Sequence, residues 1–242
     1  MFRPAVSAAL AACVLALAAL PQAACALTGQ ITNISGAVIA RGPNGVSRIL
    51  SLRSEVLEGD VVVTADNSYA RVKFTDGGEV VLRPGTQIKI DAYRFDERDP
   101  DRDGFVMSLL KGGMRSVTGL MGRRNPGRAS YTTPTATIGI RGTHFGALVC
   151  NNDCASVPSP TGSPPANGLH VDVADGRIVV TSAAGSLEFS VGQFGYVASP
   201  AVVPVTVPAG QGIRATLPPQ AIVATFGGAG VGKAGEQECI IR

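Results

Sequence analysis

Five short stretches of this 242-residue chain hold residue types at spacings that could do chemistry. GGAGVGK (227–233) has the Gly-x-x-x-x-Gly-Lys spacing with which backbone amides cradle phosphate, directly after strand-like AIVATF. Ala234 stands where a magnesium-binding Ser or Thr is needed, and eight residues remain for the helix that must follow, so the stretch reads as a flexible tail. DPDRDG (99–104) sets Asp99, Asp101 and Asp103 at alternate positions with Gly104 at the turn, the opening of a calcium loop. The closing acid would fall on Leu110, and Arg98 and Arg102 supply local counter-charge, which predicts a solvated hairpin tip. RRNPGR (123–128) groups Arg123, Arg124 and Arg128 around a turn, a solvated loop or a contact for an acidic partner or anionic lipopolysaccharide. Cys150-Asn-Asn-Asp-Cys154 suits a small disulfide-closed loop; neither His144 nor His170 sits at zinc-motif spacing, and Cys239 is left over. The fifth stretch, TPTATIGIRGTHF (133–145), is considered below. No Gly-x-Ser-x-Gly elbow occurs, and His144 has no carboxylate close in sequence to orient it, so no catalytic residue, metal or cofactor is expected.

Composition narrows the partners. A formal charge of +3, from 21 basic and 18 acidic residues, lacks the cationic footprint that nucleic acid requires. With no Trp, 4 Tyr and 8 Phe, few flat rings are available to stack on sugars, which weakens carbohydrate or peptidoglycan binding. The 30 Gly and 16 Pro suit many short strands rather than a helical bundle.

The elements that must position these residues follow from hydropathy patterning. Residues 1–26 read as a secretory signal peptide: Arg3 gives a positive start, residues 5–20 are apolar apart from Ser7, and Ala24-Cys25-Ala26 fits a small-x-small cleavage site. The apolar run is short of the roughly 20 residues of a span, and Gln22 departs from a lipobox, so the rest of the chain is expected to carry no integral span. Residues 27–197 form the predicted domain and 198–242 a Pro/Gly-rich tail that adds little to the core. Within the domain apolar residues alternate with polar ones: Ala70, Val72 and Phe74 against Arg71, Lys73 and Thr75, with Asp76-Gly77 turning, or Val171 and Val173 against Asp172. One face of each strand should stay wet. Segments 31–40, 106–115 and 171–180 look alike, each placing apolar residues on both sides of a glycine turn. The expectation is an all-β fold, either a twisted β-helix-like solenoid stack or a two-sheet sandwich of short strands.

Residues 57–145 resemble a FecR-type domain, the periplasmic module of ferric-citrate-type signalling regulators. The resemblance is carried by Leu57-Glu58-Gly59-Asp60 with Val62 and Thr64, by Ser68, Ala70, Val72, Phe74, Asp76-Gly77, Leu82, Pro84 and Ile90, by Leu110-Lys111-Gly112-Gly113 with Arg115, and above all by residues 133–145. DVADGRIVVTSAAG and VGQFGYV extend it to about residue 197. In the last block Ala136, Ile138 and Ile140 alternate with Thr137 and Gly139 as a strand, and Arg141-Gly142-Thr143 makes a tight corner. Gly142 supplies a positive-φ or crowded position, and Arg141 is placed to fork onto backbone carbonyls or onto a carboxylate such as Asp60 or Asp76. Thr133, Pro134, Thr135, Gly139, Arg141, Gly142 and Thr143 are therefore a fold-locking motif or a ligand or partner contact.

The resemblance implies a sensing role, since regulatory members receive information from an outer-membrane transporter. This chain has no cytoplasmic anti-sigma segment and no internal transmembrane helix, which leaves the binding module as the part carried over. The expected protein is a non-enzymatic, periplasmic or secreted bacterial module that binds an envelope or outer-membrane protein, by strand addition at an exposed sheet edge. The competing expectation is a structural or adhesive envelope scaffold. The oligomeric state is left open.

Overall fold

The computed structural model describes residues 27–215. The leader, Cys239 and GGAGVGK lie outside the described residues. Fifteen strands form one mixed sheet, with one short helix, so the fold is all-β. In chain order they are β1 (Leu27–Ser35), β2 (Val38–Arg41), β3 (Ser47–Ile49), β4 (Glu55–Leu57), β5 (Val61–Thr64), β6 (Tyr69–Phe74), β7 (Glu79–Leu82), β8 (Gln87–Arg94), β9 (Gly104–Val117), the helix α1 (Leu120–Arg124), β10 (Ala129–Thr132), β11 (Thr137–Cys150), β12 (Gly168–Ser182), β13 (Gly185–Ser190), β14 (Phe194–Val197) and β15 (Val205–Val207).

The alternatives of stack and sandwich resolve into a single sheet that is spliced by three long strands and stays open. β9, β11 and β12 run 14, 14 and 15 residues, well beyond the usual five or six, and each changes partner midway. The first half of β9 lies between β8 and β10 and its second half between β7 and β11. β12 pairs with β11 along its length, with β14 over Leu169–Asp172 and with β13 over Arg177–Ser182. Only β9–β10 is parallel among the described pairings, whereas a β-helix is built from parallel ladders. Bulges supply the bending: the β8–β9 register slips at Leu110, and the β11–β12 register slips between Arg141 and Phe145. The three look-alike segments share this device, each bending at a glycine with positive φ: Gly36, Gly112 and Gly176.

Bending lets the sheet bury its own inner face. Ile31, Val72, Ile88, Met107, Met114, Ile138, Phe145, Ile178 and Phe189 all join one core cluster. A row of rings crosses it: Phe74, Tyr93, Phe105, Tyr131 and Phe145 follow one another with centroids 5.1–5.9 Å apart. The few aromatics are thus spent on packing, which is where such rings contribute most in a chain without Trp. A satellite cluster joins Leu148, Cys150 and Cys154 to Ile213. The stretch read as a tail therefore begins as structure, with β15 paired to β14 and Ile213 and Ala215 buried.

Candidate functional site

The 133–145 motif is built as two locks. The Thr133 hydroxyl donates to the Ala136 carbonyl at 2.7 Å and accepts the amides of Ala136 and Thr135, closing a turn around exposed Pro134. Downstream, the Thr143 amide donates to the Thr118 hydroxyl at 3.0 Å, while that hydroxyl and the Thr118 amide both donate to the Thr143 carbonyl at 2.9 Å. Thr133, Thr135 and Thr143 are buried. Between the locks, Gly139 faces Val179 across the ladder, and Gly142 has φ +61°. The expected corner is a bulge within continuous β11: Gly142 lies opposite Gly176 of β12, also at positive φ, and a Cβ on Gly176 would sit 2.2 Å from the Gly142 carbonyl oxygen.

Arg141 departs from expectation. It is exposed, its cross-strand neighbour is Arg177, and both candidate carboxylates are occupied elsewhere. Asp60, buried at the start of β5, takes both terminal nitrogens of Arg48 and the Leu57 amide. Asp76, buried in the β6–β7 turn, accepts the Gly78 amide and the Tyr93 hydroxyl with one oxygen and the Met121 amide with the other. It thereby satisfies the first turn of α1, whose cap residue Gly119 has no side chain to do so. The hydroxyl of Tyr93 is buried beside this carboxylate, and both effects hold it in the neutral form by raising its pKa.

The most charged interior cluster was not anticipated. Arg115 of β9 and Asp172 of β12 form an ion pair at 2.9 Å with relative exposures of 6% and 3%. Arg115 also donates from Nε to His144 Nε2 at 2.8 Å and from Nη1 to the Ala215 carbonyl, and the Ala215 amide donates to Asp172 Oδ1. His144 therefore accepts with Nε2 and stands neutral; burial and the Arg115 charge both lower its pKa, while Asp172 and Asp175 oppose them. Asp172 was expected on a wet face. It is buried because residues 213–215 cover that face of β12. Arg71, likewise expected outside, is buried. The carboxylates that approach His144 come from across the ladder, beyond any local sequence window. The cluster clamps the chain after β15 to the body and has no nucleophile placed in it.

The other tempting stretches pack on each other. Arg124 pairs with buried Asp103 at 3.2 Å and lies 5.3 Å over the Phe95 ring, while Arg128 donates to the Asp101 carbonyl and Asn125 to that of Pro100. RRNPGR thus closes down on the DPDRDG tip, with Arg123 left exposed. Asp103 also takes the Asp96 amide, and no group of His, Cys, Asp and Glu among the described residues is arranged to hold a metal. Cys150 and Cys154 are joined by a disulfide, and the loop it anchors closes through reciprocal amide bonds between Asn152 and Asn167.

At the far end, β3 pairs only with β2 among the described strands. Ile39 and Ile49 face each other across that pair and are both exposed, Ile49 to 83%, with Val46 and Leu52 exposed beside them. Natural edges are usually guarded by an outward charge or proline. Here the one charged residue of β3, Arg48, is turned inward to Asp60 and the Glu55 carbonyl, leaving an unguarded apolar edge.

Residues 60–178 match the family model described as FecR protein, so this stretch of the chain is a FecR domain. No curated protein matches the chain. Among solved structures it is similar to a "Cell surface anchoring domain" at 28% identity, covering 26% of this chain and 84% of that one with a TM-score of 0.26. It is also similar to two structures of a "putative anti-sigma factor" from Parabacteroides distasonis ATCC 8503, at 13% and 14% identity and TM-scores of 0.44 and 0.45. Each covers 61% of this chain, which spans 58% of theirs. No helix among the described residues is long and apolar enough to cross a membrane.

Proposed function

We propose that the chain is an extracytoplasmic, non-enzymatic FecR-type module that receives an envelope protein by strand addition at β3. The observation that carries this reading is the free edge of β3, with Val46, Ile49 and Leu52 exposed along it and the strand held in place by the fork of Arg48 onto buried Asp60. An edge of this kind offers backbone donors and acceptors for an incoming strand, and the Ile39–Ile49 surface offers apolar anchors for its alternate side chains. Export is supported by the character of residues 1–26 and by the Cys150–Cys154 disulfide, a bond that persists in oxidising compartments. The interior clusters serve as scaffold in this reading, keeping the edge rigid. The test is site-specific photo-crosslinking in cells that produce the chain, with the probe at position 49 and a control at exposed Ser186. One identified envelope protein captured at 49, absent at 186 and lost with S47P is the expected result; adducts with cytoplasmic proteins, or equal capture at both positions, would overturn the proposal.

A further inference from the structure

We propose a second site, an oxyanion-binding groove under the disulfide loop whose cationic group is Arg83. A groove of about 520 Å³ runs between the β7–β8 turn, the Gly112–Gly113 bend of β9 and the loop after Cys154. That volume lies in the range of small-molecule sites. Arg83 stands in its wall with a fixed backbone: its amide donates to the Gly113 carbonyl at 3.0 Å, and its carbonyl accepts the Thr64 hydroxyl at 2.6 Å. The side-chain stem passes over Gly113, where a Cβ would come within 3.3 Å of Arg83 Cδ, so the glycine leaves room for it.

The Arg83 guanidinium has no carboxylate partner among the described residues. Among the same residues its Nε and Nη1 are buried without a hydrogen-bond partner. Asp66 and Asp153 also line the groove, but Asp153 is drawn to Lys111 at 3.6 Å. Desolvation lowers the Arg83 pKa, with the Tyr69 hydroxyl the one group opposing it. A cation taken out of water and left unpaired is costly, so the group calls for an acceptor. Arg48, Arg71, Arg115 and Arg124 each face a carboxylate, Asp60, Glu79, Asp172 and Asp103 respectively, although Nε and Nη2 of Arg124 also lack a hydrogen-bond partner. A planar guanidinium selects oxyanions, carboxylate or phosphate.

The experiment is a titration of the oxidised protein followed by NMR, reading the Arg83 side-chain Nε–Hε resonance and the amides of Gly112, Gly113 and Cys154. The probes are succinate, inorganic phosphate, and neutral succinamide, each at constant ionic strength set with chloride. Saturable shifts at those positions with succinate or phosphate and none with succinamide are expected, and the tighter of the two anions assigns the source as carboxylate or phosphate. R83Q should weaken binding by roughly tenfold or more without lowering the melting temperature, since it removes an unmatched charge. R83K, which keeps the charge and loses the planar fork, should weaken it severalfold and guards against R83Q failing to fold. Absence of saturable shifts with both anions, or shifts unchanged in the Arg83 variants, would overturn the site.

Discussion

Replacing Asp172 by Ala breaks an ion pair that the fold has buried in its interior. The carboxylate faces Arg115 at 2.9 Å and accepts the Ala215 amide at 2.9 Å, with both charged side chains nearly excluded from water. Removing one member of such a pair strands the other, and the loss is about 3–5 kcal/mol. For a domain of this size each kcal/mol moves the melting temperature by about 2–4 °C, so D172A should melt roughly 6–20 °C below the parent. Calorimetry with matched urea denaturation measures it. The double variant R115M/D172L removes both charges and fills the space, and it should recover most of the loss because the desolvation cost disappears with the pair. D172A should also speed amide exchange at Ala215, which loses its acceptor. The reasoning is refuted if D172A costs under 1 kcal/mol, or if the double variant is no more stable than the single.

Two further outcomes follow from the β11–β12 bulge and the buried imidazoles. G176A should destabilise by about 2 kcal/mol or more and G142A by only about 1 kcal/mol, because both face positive φ but only Gly176 would drive a Cβ into backbone, while the nearest atom to a Cβ on Gly142 is 3.7 Å away; urea midpoints at constant m-value decide the ranking. His144 and His170 both have pKa values lowered by burial, so the unfolded chain binds protons that the fold refuses: stability is fully present above the unfolded value near 6.5 and falls as pH drops from there toward the folded values. Denaturation at pH 7.5 and 5.5 should show this loss, and it should shrink in H144Q/H170Q.

The strand grammar was legible from residue type alone. Ala70, Val72 and Phe74, or Ala136, Ile138 and Ile140, alternate because one face of each strand is buried, and they occupy the core as that pattern requires. Cys150–Cys154 was legible as a bridge because it depends on local spacing, and of the two readings of Gly142, positive φ or crowding, the fold takes the first. The Arg115–Asp172–His144 cluster was not, because its members meet through a register linking residues 57 apart in sequence. Asp172 misled for a further reason: alternation assumes a wet second face, and that face is covered by a segment whose prolines read as a tail. Arg141 was read as forking onto backbone carbonyls or onto Asp60 or Asp76, and Arg48 and α1 already use those two carboxylates, a competition visible only in three dimensions.

The proposal that this chain works by presenting an edge is tested most directly by hydrogen exchange across residues 44–54, with and without the partner captured at position 49. The account predicts that the amides of Ser47 to Ile49 slow by tenfold or more in the complex while those of β11 and β12 stay unchanged. Unaltered exchange along β3 together with new protection elsewhere would contradict it.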